Sequence, residues 1–245
     1  MIGAFVTRLR RRNSPLFRIL KRIVHGFRTF RLPLPDFLRP VLRFGFQFQQ
    51  GCFTVVRWIL AVFIYEPLFR GRCTQAGKRL RVTRMPFVVG PTSIFIGDDV
   101  NLFGKVDIGS GYVCENPRLV IGNRVEIGHN TVFVVNRLIE IGDDVNIAFG
   151  VRFMDSDAHP RDFADRIADL PPPAEEVKPV RIGKGAWIGQ EACILKGVTI
   201  GEGAIIGANS VVVTDIPAHT VAMGNPARVV VKNTPKTSPA ATAAS

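Results

Sequence analysis

Residues 182–212 read IGKGAWIGQEACILKGVTIGEGAIIGANSVV, a stretch in which an apolar residue returns at every sixth position. The returning residues are Ile182, Ile188, Ile194, Ile200, Ile206 and Val212. Four places after each of the first five stands a small or β-branched residue: Ala186, Ala192, Val198, Ala204 or Ser210. A period of six matches neither an α-helix nor an alternating strand, and it is typical of a hexapeptide-repeat parallel β-helix.

The same period occurs upstream, in three stretches that begin at Ile96, Ile121 and Ile141. In a β-helix of this kind each hexapeptide forms one short strand and one turn, and three hexapeptides complete a coil. The apolar residue points inward and stacks on its equivalent one coil away, while the fifth position must be small to share the narrow interior. The sequence therefore predicts an all-β fold, with a parallel β-helix over residues 81–232.

The repeat is interrupted once at length, by residues 154–179, which contain no hexapeptide and five prolines. Long loops that leave a rigid scaffold are more often functional than not. We therefore expect residues 154–179 to protrude from the β-helix. At the other end of the chain, residues 233–245 are small and polar, and they are predicted to form a disordered tail.

The net charge of +12 is concentrated in the first third of the chain. Residues 1–81 contain 17 Lys and Arg against two acids, a net +15, whereas residues 82–245 contain 15 against 18, a net −3. A segment this basic is expected to meet a polyanion such as anionic lipid, acidic glycan or nucleic acid.

Residues 1–80 are predicted to form a basic, mainly helical extension. Residues 15–30 have one apolar face and one face of Lys and Arg, and two shorter helices are expected at 37–46 and 53–65. Helices with cationic and aromatic faces suit an anionic membrane surface. The alternative is that they pack against the β-helix and expose only their arginines.

We predict neither a transmembrane helix nor a signal peptide. The longest apolar run, residues 52–65, has 14 residues and is broken by Thr54 and Arg57, whereas a membrane span needs about 20. The cysteines are too widely spaced for a disulfide framework or a zinc site: Cys52, Cys73, Cys114 and Cys193. The expected location is the cytoplasm. Peripheral attachment to the inner face of the membrane through residues 1–80 is a further expectation.

Three segments resemble the hexapeptide-repeat acyltransferases: PVRIGKGAWIG at 179–189, ILKGVTIGEGAIIGANS at 194–210 and GNPARV at 224–229. The likeness is greatest to the sugar O-acetyltransferase branch, which includes the galactoside and maltose enzymes, and it covers residues from about 90 to 232. It implies a left-handed β-helix and a homotrimer with active sites between neighbouring subunits. It also implies acetyl-CoA or another acyl-CoA as co-substrate, with no tightly bound cofactor and no metal.

The resemblance places the general base at His159, in the sequence Asp157-Ala158-His159-Pro160, where the family has its own His-Pro. A hydroxyl is a poor nucleophile at neutral pH, and an imidazole can accept its proton as the oxygen attacks a thioester carbonyl. The predicted function is therefore transfer of an acetyl group from acetyl-CoA to a sugar hydroxyl in polysaccharide or glycolipid biosynthesis. Oxygen or nitrogen as the acylated atom, and the length of the acyl chain, are left open.

By the same resemblance, the acceptor is expected to contact Asn130, Asn136 and Asp157. Coenzyme A is expected to contact five residues nearer the C-terminus: Trp187, Gln190, Ala208, Thr214 and Arg228. Simpler explanations exist, since asparagines often form turns and a tryptophan can pack at a subunit contact. Thr214 stands where relatives often have Lys, and Gln190 replaces a smaller residue, so the phosphate contacts and the choice of donor are open. Asp157 is also a candidate partner for the second ring nitrogen of the histidine.

Three rival functions are weighed against this one. A zinc enzyme of carbonic-anhydrase type needs three converging histidines, and the β-helix region offers His129, His159 and His219 with no close pair. A non-catalytic trimeric scaffold or membrane-binding module would leave the basic N-terminus as the functional part. A nucleic-acid role would rest on charge alone, so no nucleic-acid partner is expected.

Overall fold

The computed structural model describes residues 15–31, 34–111 and 113–232. The predicted disordered tail, 233–245, therefore lies outside the described residues. The chain divides into two compact units, Met1–Cys52 and Phe53–Ser245, and the whole β-helix belongs to the second.

Four α-helices occur among the described residues: α1 (Pro15–Thr29), α2 (Arg39–Leu60), α3 (Glu66–Arg72) and α4 (Phe163–Ile167). Asp36–Leu38 and Ala174–Glu176 form 3-10 turns, and Ala61–Tyr65 forms a π-helical segment between α2 and α3. The first helix confirms the prediction over residues 15–30.

The prediction of two short helices at 37–46 and 53–65 was wrong, because α2 runs unbroken through Gly45 and Gly51. Each of these glycines has only a modest cost inside a helix. Pro67 does not end the helical run either, since it lies at the start of α3, directly after the π-helical segment.

The helical run Asp36–Arg72 is the one stretch among the described residues that is long and apolar enough to cross a membrane, by length and composition. Thr54 and Arg57 interrupt the apolar run in the sequence but do not interrupt the helix. Core helices and signal sequences can have the same length and composition. The expectation that no segment crosses a membrane therefore stays a prediction.

The described part of the second unit contains twenty short strands. In chain order they are β1 (Gln75–Ala76), β2 (Arg81–Val82), β3 (Phe87–Val89), β4 (Ser93–Ile96), β5 (Asn101–Leu102), β6 (Val106–Gly109), β7 (Arg118–Ile121), β8 (Glu126–Ile127), β9 (Thr131–Val134), β10 (Leu138–Ile141), β11 (Asn146–Ile147), β12 (Arg152–Met154), β13 (Val180–Ile182), β14 (Trp187–Ile188), β15 (Cys193–Ile194), β16 (Thr199–Ile200), β17 (Ile205–Ile206), β18 (Val211–Val212), β19 (Thr220–Gly224) and β20 (Ala227–Lys232).

From β1 to β18 every third strand joins the same sheet, so the chain winds through three sheets in turn. The first sheet has the order β1-β4-β7-β10-β13-β16, and the third has the order β3-β6-β9-β12-β15-β18. The second sheet runs β2-β5-β8-β11-β14-β17-β19-β20 and ends in an antiparallel pair. All other pairings are parallel, and the unit is a left-handed parallel β-helix, as predicted.

The first position of each hexapeptide forms a column of stacked side chains in each sheet. The column of the first sheet pairs Ile96, Ile121, Ile141, Ile182 and Ile200 in direct register. The second column pairs Leu102, Ile127, Ile147, Ile188 and Ile206, and the third pairs Ile108, Phe133, Phe153, Ile194 and Val212. All fifteen side chains are buried, so the six-residue period sets the three central columns of the hydrophobic core.

The coils approach so closely that some corners admit no side chain. A Cβ added at Gly189 would lie 2.6 Å from the carbonyl oxygen of Ile206 in the next coil, which is closer than any normal contact. The β-helix also begins earlier than the predicted boundary at residue 81, because β1 already pairs with β4. No hexapeptide marks that coil in the sequence.

Ile205 and Ile206 provide a matched test of this core, since they are neighbours on β17 and only Ile206 is buried. Replacing Ile206 by Ala should lower the free energy of unfolding by about 2–5 kcal/mol, because the hole left between stacked coils cannot close. The Ile205→Ala change should cost less than half as much. Denaturant unfolding at one fixed protein concentration measures both, and equal losses would contradict the inward column.

Candidate active site

Two of the three edges along the β-helix carry the predicted site residues. At the loop edge, third-sheet strands connect to first-sheet strands, and the long interruption leaves there as residues 155–179 between β12 and β13. At the turn edge, second-sheet strands connect to third-sheet strands through the turns 128–130, 148–151, 189–192 and 207–210.

His159 lies near the start of the interruption, on the surface of the loop edge. Its side chain is exposed, and it makes no hydrogen bond with any residue in the described part of the chain. The residue before it, Ala158, has a φ of +66°, a left-handed conformation that costs about 1–2 kcal/mol for a residue with a Cβ. The surrounding structure therefore holds the backbone that presents this imidazole.

A buried carboxylate anchors the start of the loop. Asp155 is fully buried and accepts hydrogen bonds from the backbone N–H groups of Asn136, Arg137 and Leu138 at 2.7–2.9 Å. These donors belong to the preceding coil. The carboxylate thus ties the loop to the turn between β9 and β10.

Asn136 extends this anchor in two directions. Its side-chain amide donates to Ser156 Oγ at 2.7 Å, and its Oδ1 accepts from the backbone N–H of Gly111 at 2.9 Å. Ser156 Oγ in turn accepts from the backbone N–H of Ala158 at 3.2 Å. A chain of hydrogen bonds therefore runs across three coils to the residue that precedes His159.

The structure places Asn136 beneath the surface, with 2% of it exposed. Its predicted contact with the acceptor stays a prediction, and the observed hydrogen bonds give it a supporting position under the histidine loop. Sequence reasoning missed Asp155, although a signal was present. Phe153 points inward, so the alternation of a strand directs the side chain two residues later inward as well.

Burial raises the pKa of the Asp155 carboxyl, and its hydrogen bonds from backbone N–H groups offset part of that rise. The native state therefore holds this proton more tightly than the unfolded chain does. By linkage, this group lowers the stability as the pH rises from the ordinary carboxyl range to the native pKa. The backbone donors compensate by stabilising the ionised form.

Asp157 forms an ion pair, and its predicted contact with the acceptor or the histidine stays a prediction. Its Oδ2 lies 2.6 Å from Lys196 Nζ, and the same ammonium lies 3.6 Å from Glu176 Oε2. Lys196 belongs to the next coil and is 14% exposed, whereas Asp157 is 44% exposed. The pair fastens both ends of the loop, and nothing in the local sequence around Lys196 indicates it.

The turn edge carries three of the predicted residues, each in a different coil. Asn130 has a φ of 58° and lies in the turn before β9, which agrees with a turn-forming role. Gln190 and Ala208 lie two and three coils further along, and the backbone N–H of Asn209 donates to the carbonyl oxygen of Gln190 at 2.8 Å. All three predicted side chains are exposed.

Trp187 lies on the outer face of the second sheet, with 53% of its surface exposed. It is paired in register with Asn146 on one side and Ile205 on the other. Arg228 lies on the last strand of the same sheet, where its guanidinium donates to the carbonyl oxygen of Ala227 at 2.9 Å. Its remaining donors face no carboxylate among the described residues.

Thr214 is the one predicted coenzyme A contact at the loop edge, in the turn after β18, and it is exposed. The predicted residues therefore form two groups. His159, Asp157, Asn136 and Thr214 lie along the loop edge, and the others lie along the turn edge or on the second sheet. One chain does not bring these groups together, since the width of the third sheet separates the two edges.

Within the described ranges, no three residues among His, Cys, Asp and Glu gather in a cluster able to hold a metal ion. The three histidines of the β-helix lie in different coils. His129 stacks on Phe149 with ring centroids 5.3 Å apart, and His219 lies in a turn with a φ of 53°.

Comparison with known proteins shows to which family the chain belongs. The model of the bacterial transferase hexapeptide (six repeats) matches residues 179–214. Nodulation protein L of Rhizobium meliloti is 41% identical over 133 residues, which cover 51% of this chain and 70% of that protein. Polysialic acid O-acetyltransferase of Escherichia coli is 40% identical over 119 residues, which cover 47% of this chain and 37% of that enzyme.

A solved structure of a hexapeptide-repeat enzyme is also similar to this fold. A hexapeptide-repeat acetyltransferase of Vibrio cholerae, complexed with acetyl-coenzyme A, aligns with a TM-score of 0.50 and 25% identity over 74% of this chain and 85% of that one. Together the repeat and these relatives define the class of hexapeptide-repeat transferases. The chain belongs to this family, and it is an acyl-CoA-dependent acyltransferase.

The support beneath the histidine loop can be tested by replacing Asn136 with Ala. The change leaves the Gly111 N–H without its partner inside the protein, so the free energy of unfolding should fall by about 1–3 kcal/mol. Asn146→Ala is the matched control, because Asn146 is exposed, and it should cost less than about 0.5 kcal/mol. Similar losses in denaturant unfolding would contradict the anchoring role.

Proposed function

We propose that the protein transfers an acetyl group from acetyl-CoA to a hydroxyl of a sugar, with His159 as the general base. The observation that carries this proposal is the exposed imidazole held on a buried, fully bonded polar support at the base of the only long interruption in the described β-helix. A rigid platform with an accessible base on a protruding loop suits a group that must accept a proton from a bound substrate.

The chemistry balances without a metal ion or a covalent intermediate. A ring nitrogen of His159 takes the proton of the acceptor hydroxyl while its oxygen forms a bond to the thioester carbonyl carbon. Backbone N–H groups at the glycine-rich corners are suited to stabilise the negative charge that develops on the carbonyl oxygen. The carbon–sulfur bond then breaks, and the imidazolium returns the proton to the leaving thiolate of coenzyme A.

Residues of the turn edge and the second sheet are proposed to hold the donor. Trp187 offers an exposed aromatic face to the pantetheine arm, and Gln190 and Ala208 line the neighbouring corners. Arg228 presents guanidinium donors that suit the phosphates of coenzyme A. Thr214, at the loop edge, can offer a hydroxyl where relatives carry a charge.

The separation of the two groups within one chain favours a trimer as the active form. In a ring of three copies, the loop edge of one copy can face the turn edge of its neighbour, and three such contacts close the ring. Each site would then combine His159 of one copy with the donor-binding residues of the next. Asn130, at the turn edge, is proposed to contact the acceptor between the two copies.

A sugar acceptor is supported by the relative from Escherichia coli, which is named for O-acetylation of polysialic acid. The basic N-terminal unit supports a site of action at an anionic membrane, on a glycolipid or polysaccharide precursor at its cytoplasmic face. In α1 the apolar residues Ile19, Ile23 and Phe27 are exposed beside Arg18 and Arg22. Binding of the full chain to anionic vesicles at low salt tests this location, and no binding would exclude it.

The test of the catalytic base is His159→Gln, with His219→Gln as the matched control in a turn of the last coil. Loss of a general base lowers turnover by about 10²–10⁴-fold. We expect this loss for His159→Gln with unchanged acetyl-CoA affinity, and near-normal turnover for the control. Release of coenzyme A is followed by chromatography with a panel of sugar acceptors.

If both variants acetylate the same sugar at the wild-type rate, His159 is not the base. If the wild-type trimer binds acetyl-CoA but acetylates no sugar, the acceptor class is wrong. If it does not bind acetyl-CoA, the non-catalytic scaffold or membrane module becomes the better account.

Donor binding has its own test. Arg228→Ala should weaken acetyl-CoA about tenfold or more in calorimetric titration, since a charged hydrogen bond to phosphate contributes about 1.5–3 kcal/mol. Lys232→Ala, four residues away on the same strand and also exposed, is the control and should bind like wild type. Equal weakening by both changes would point to general charge rather than a defined phosphate contact.

A further inference from the structure

A cavity of about 750 Å³ lies between the helical segment that precedes the β-helix and three successive turns that connect second-sheet to third-sheet strands, at residues 83–84, 103–105 and 129–130. Its helical wall contains Arg57, Trp58 and Ala61. Its opposite wall contains Arg84, Phe103 and Lys105 from the coils. All of these residues belong to the same compact unit. The cavity is distinct from the loop edge that carries His159.

The charge of this lining is wholly positive. Arg57, Arg84 and Lys105 contribute to it, and no Asp or Glu occurs among the described residues that line the cavity. Arg57 donates only to the backbone carbonyl of Phe53, at 3.3 Å, and Arg84 forms no ion pair with any described residue. Two guanidinium groups therefore face the same space without a carboxylate partner, an arrangement that suits a phosphate group.

The third cation is partly neutralised. Lys105 Nζ lies 2.9 Å from Asp107 Oδ1 and 5.6 Å from the centre of the Phe87 ring. Asp107 and the Phe87 ring therefore offset part of the charge of Lys105. Arg57 and Arg84 are expected to supply most of the attraction for an anion.

The same cavity has exposed aromatic walls. Trp58 is 62% exposed and Phe103 is 46% exposed, although both are large apolar side chains that usually pack inside a protein. Phe53 and Phe63 lie on the same helical segment and are exposed as well. Cations and uncovered aromatic rings together select a ligand that is both anionic and apolar.

The backbone of the helical wall is irregular at this point. The π-helical segment Ala61–Tyr65 begins at a residue that lines the cavity. Single π-turns of this kind occur frequently at functional sites. On the opposite wall, Gly104 has a φ of +84°, and a Cβ added there would lie 2.5 Å from the Cβ of His129. A larger residue at position 104 would therefore disturb this wall.

We propose that this cavity binds an anionic amphiphile: a phosphate ester whose oxygens lie against Arg57 and Arg84 and whose hydrocarbon lies against Trp58 and Phe103. Such a ligand could be an anionic lipid or a lipid-linked sugar phosphate, which share this chemistry. Asn130, a proposed acceptor contact, also lines this cavity. The inference itself rests on Arg57, Arg84, Trp58 and Phe103 and does not depend on acetyl transfer.

The test uses the full chain with the Trp187→Phe change, which leaves Trp58 as the single tryptophan. The fluorescence of Trp58 is followed during titration of the protein with dihexanoyl phosphatidic acid, glycerol 3-phosphate or dihexanoyl phosphatidylcholine. Both lipids are kept below the concentration at which they form micelles. Saturable binding of the phosphatidic acid is expected, with the other two at least about tenfold weaker. Equal binding of glycerol 3-phosphate would show a plain phosphate site, and equal binding of phosphatidylcholine would show no role for the arginines; either result overturns the proposal.

The variant arm replaces both Arg57 and Arg84 by Gln in the same background. Binding of dihexanoyl phosphatidic acid should weaken about tenfold or more. Arg81→Gln is the matched control, because Arg81 is exposed three residues before Arg84 and does not line the cavity. Circular dichroism establishes that each variant is folded. Unchanged affinity in the folded double variant, or an unchanged Trp58 signal in the parent titration, would overturn the proposal.

Discussion

The stacking of one buried apolar side chain on its equivalent in the next coil is the interaction on which the rest of the structure depends. Adjacent strands of a sheet lie about 4.8 Å apart, so each coil must return its chain to the same three columns within one strand spacing. Only a strict six-residue period does this without leaving a gap. Where the chain leaves the period, as at residues 155–179, it re-enters in register, because Val180 pairs with Ile139 and Ile182 with Ile141.

This constraint explains which features the sequence could predict. The hexapeptides are local and repeated, so the three sheets and the columns of Ile, Leu, Phe and Val followed directly from their spacing. The start of the β-helix at Gln75 did not, because β1 and β2 have no repeat of their own and are defined by pairing with the coil above. The single long α2 was not predicted, because the sequence pattern suggested two shorter helices, whereas a regular helix accommodates Gly45 and Gly51 at modest cost.

The candidate site also combines features that the sequence could predict with features that it could not. A resemblance to a known motif made His159 the candidate base, but the structure around it depends on contacts between residues 17–39 positions apart. Asp155, Ser156 and Lys196 act through such contacts, and a one-dimensional pattern does not reveal which corner faces which. The sequence likewise did not show that the predicted residues lie at two different edges, because this depends on how the coils stack.

The two proposed functional surfaces follow from one architecture. A rigid prism offers straight edges, and a residue added at a corner points outward without disturbing the columns. The loop edge uses this freedom to present an imidazole on a buried polar anchor. The turns at residues 83–84, 103–105 and 129–130, with the helical segment beside them, form a basic and aromatic cavity. A transferase whose acceptor is held near a membrane would need both surfaces.

The central claim is that a complete site needs the loop edge of one subunit and the turn edge of its neighbour. Mixing subunits that carry His159→Gln with subunits that carry Trp187→Ala and Arg228→Ala tests it directly, since each parent trimer lacks one half of every site. After exchange in equal amounts, one site in four should receive both intact halves, so roughly a quarter of the wild-type activity should return. Mixed trimers that remain as inactive as their parents would contradict a shared site.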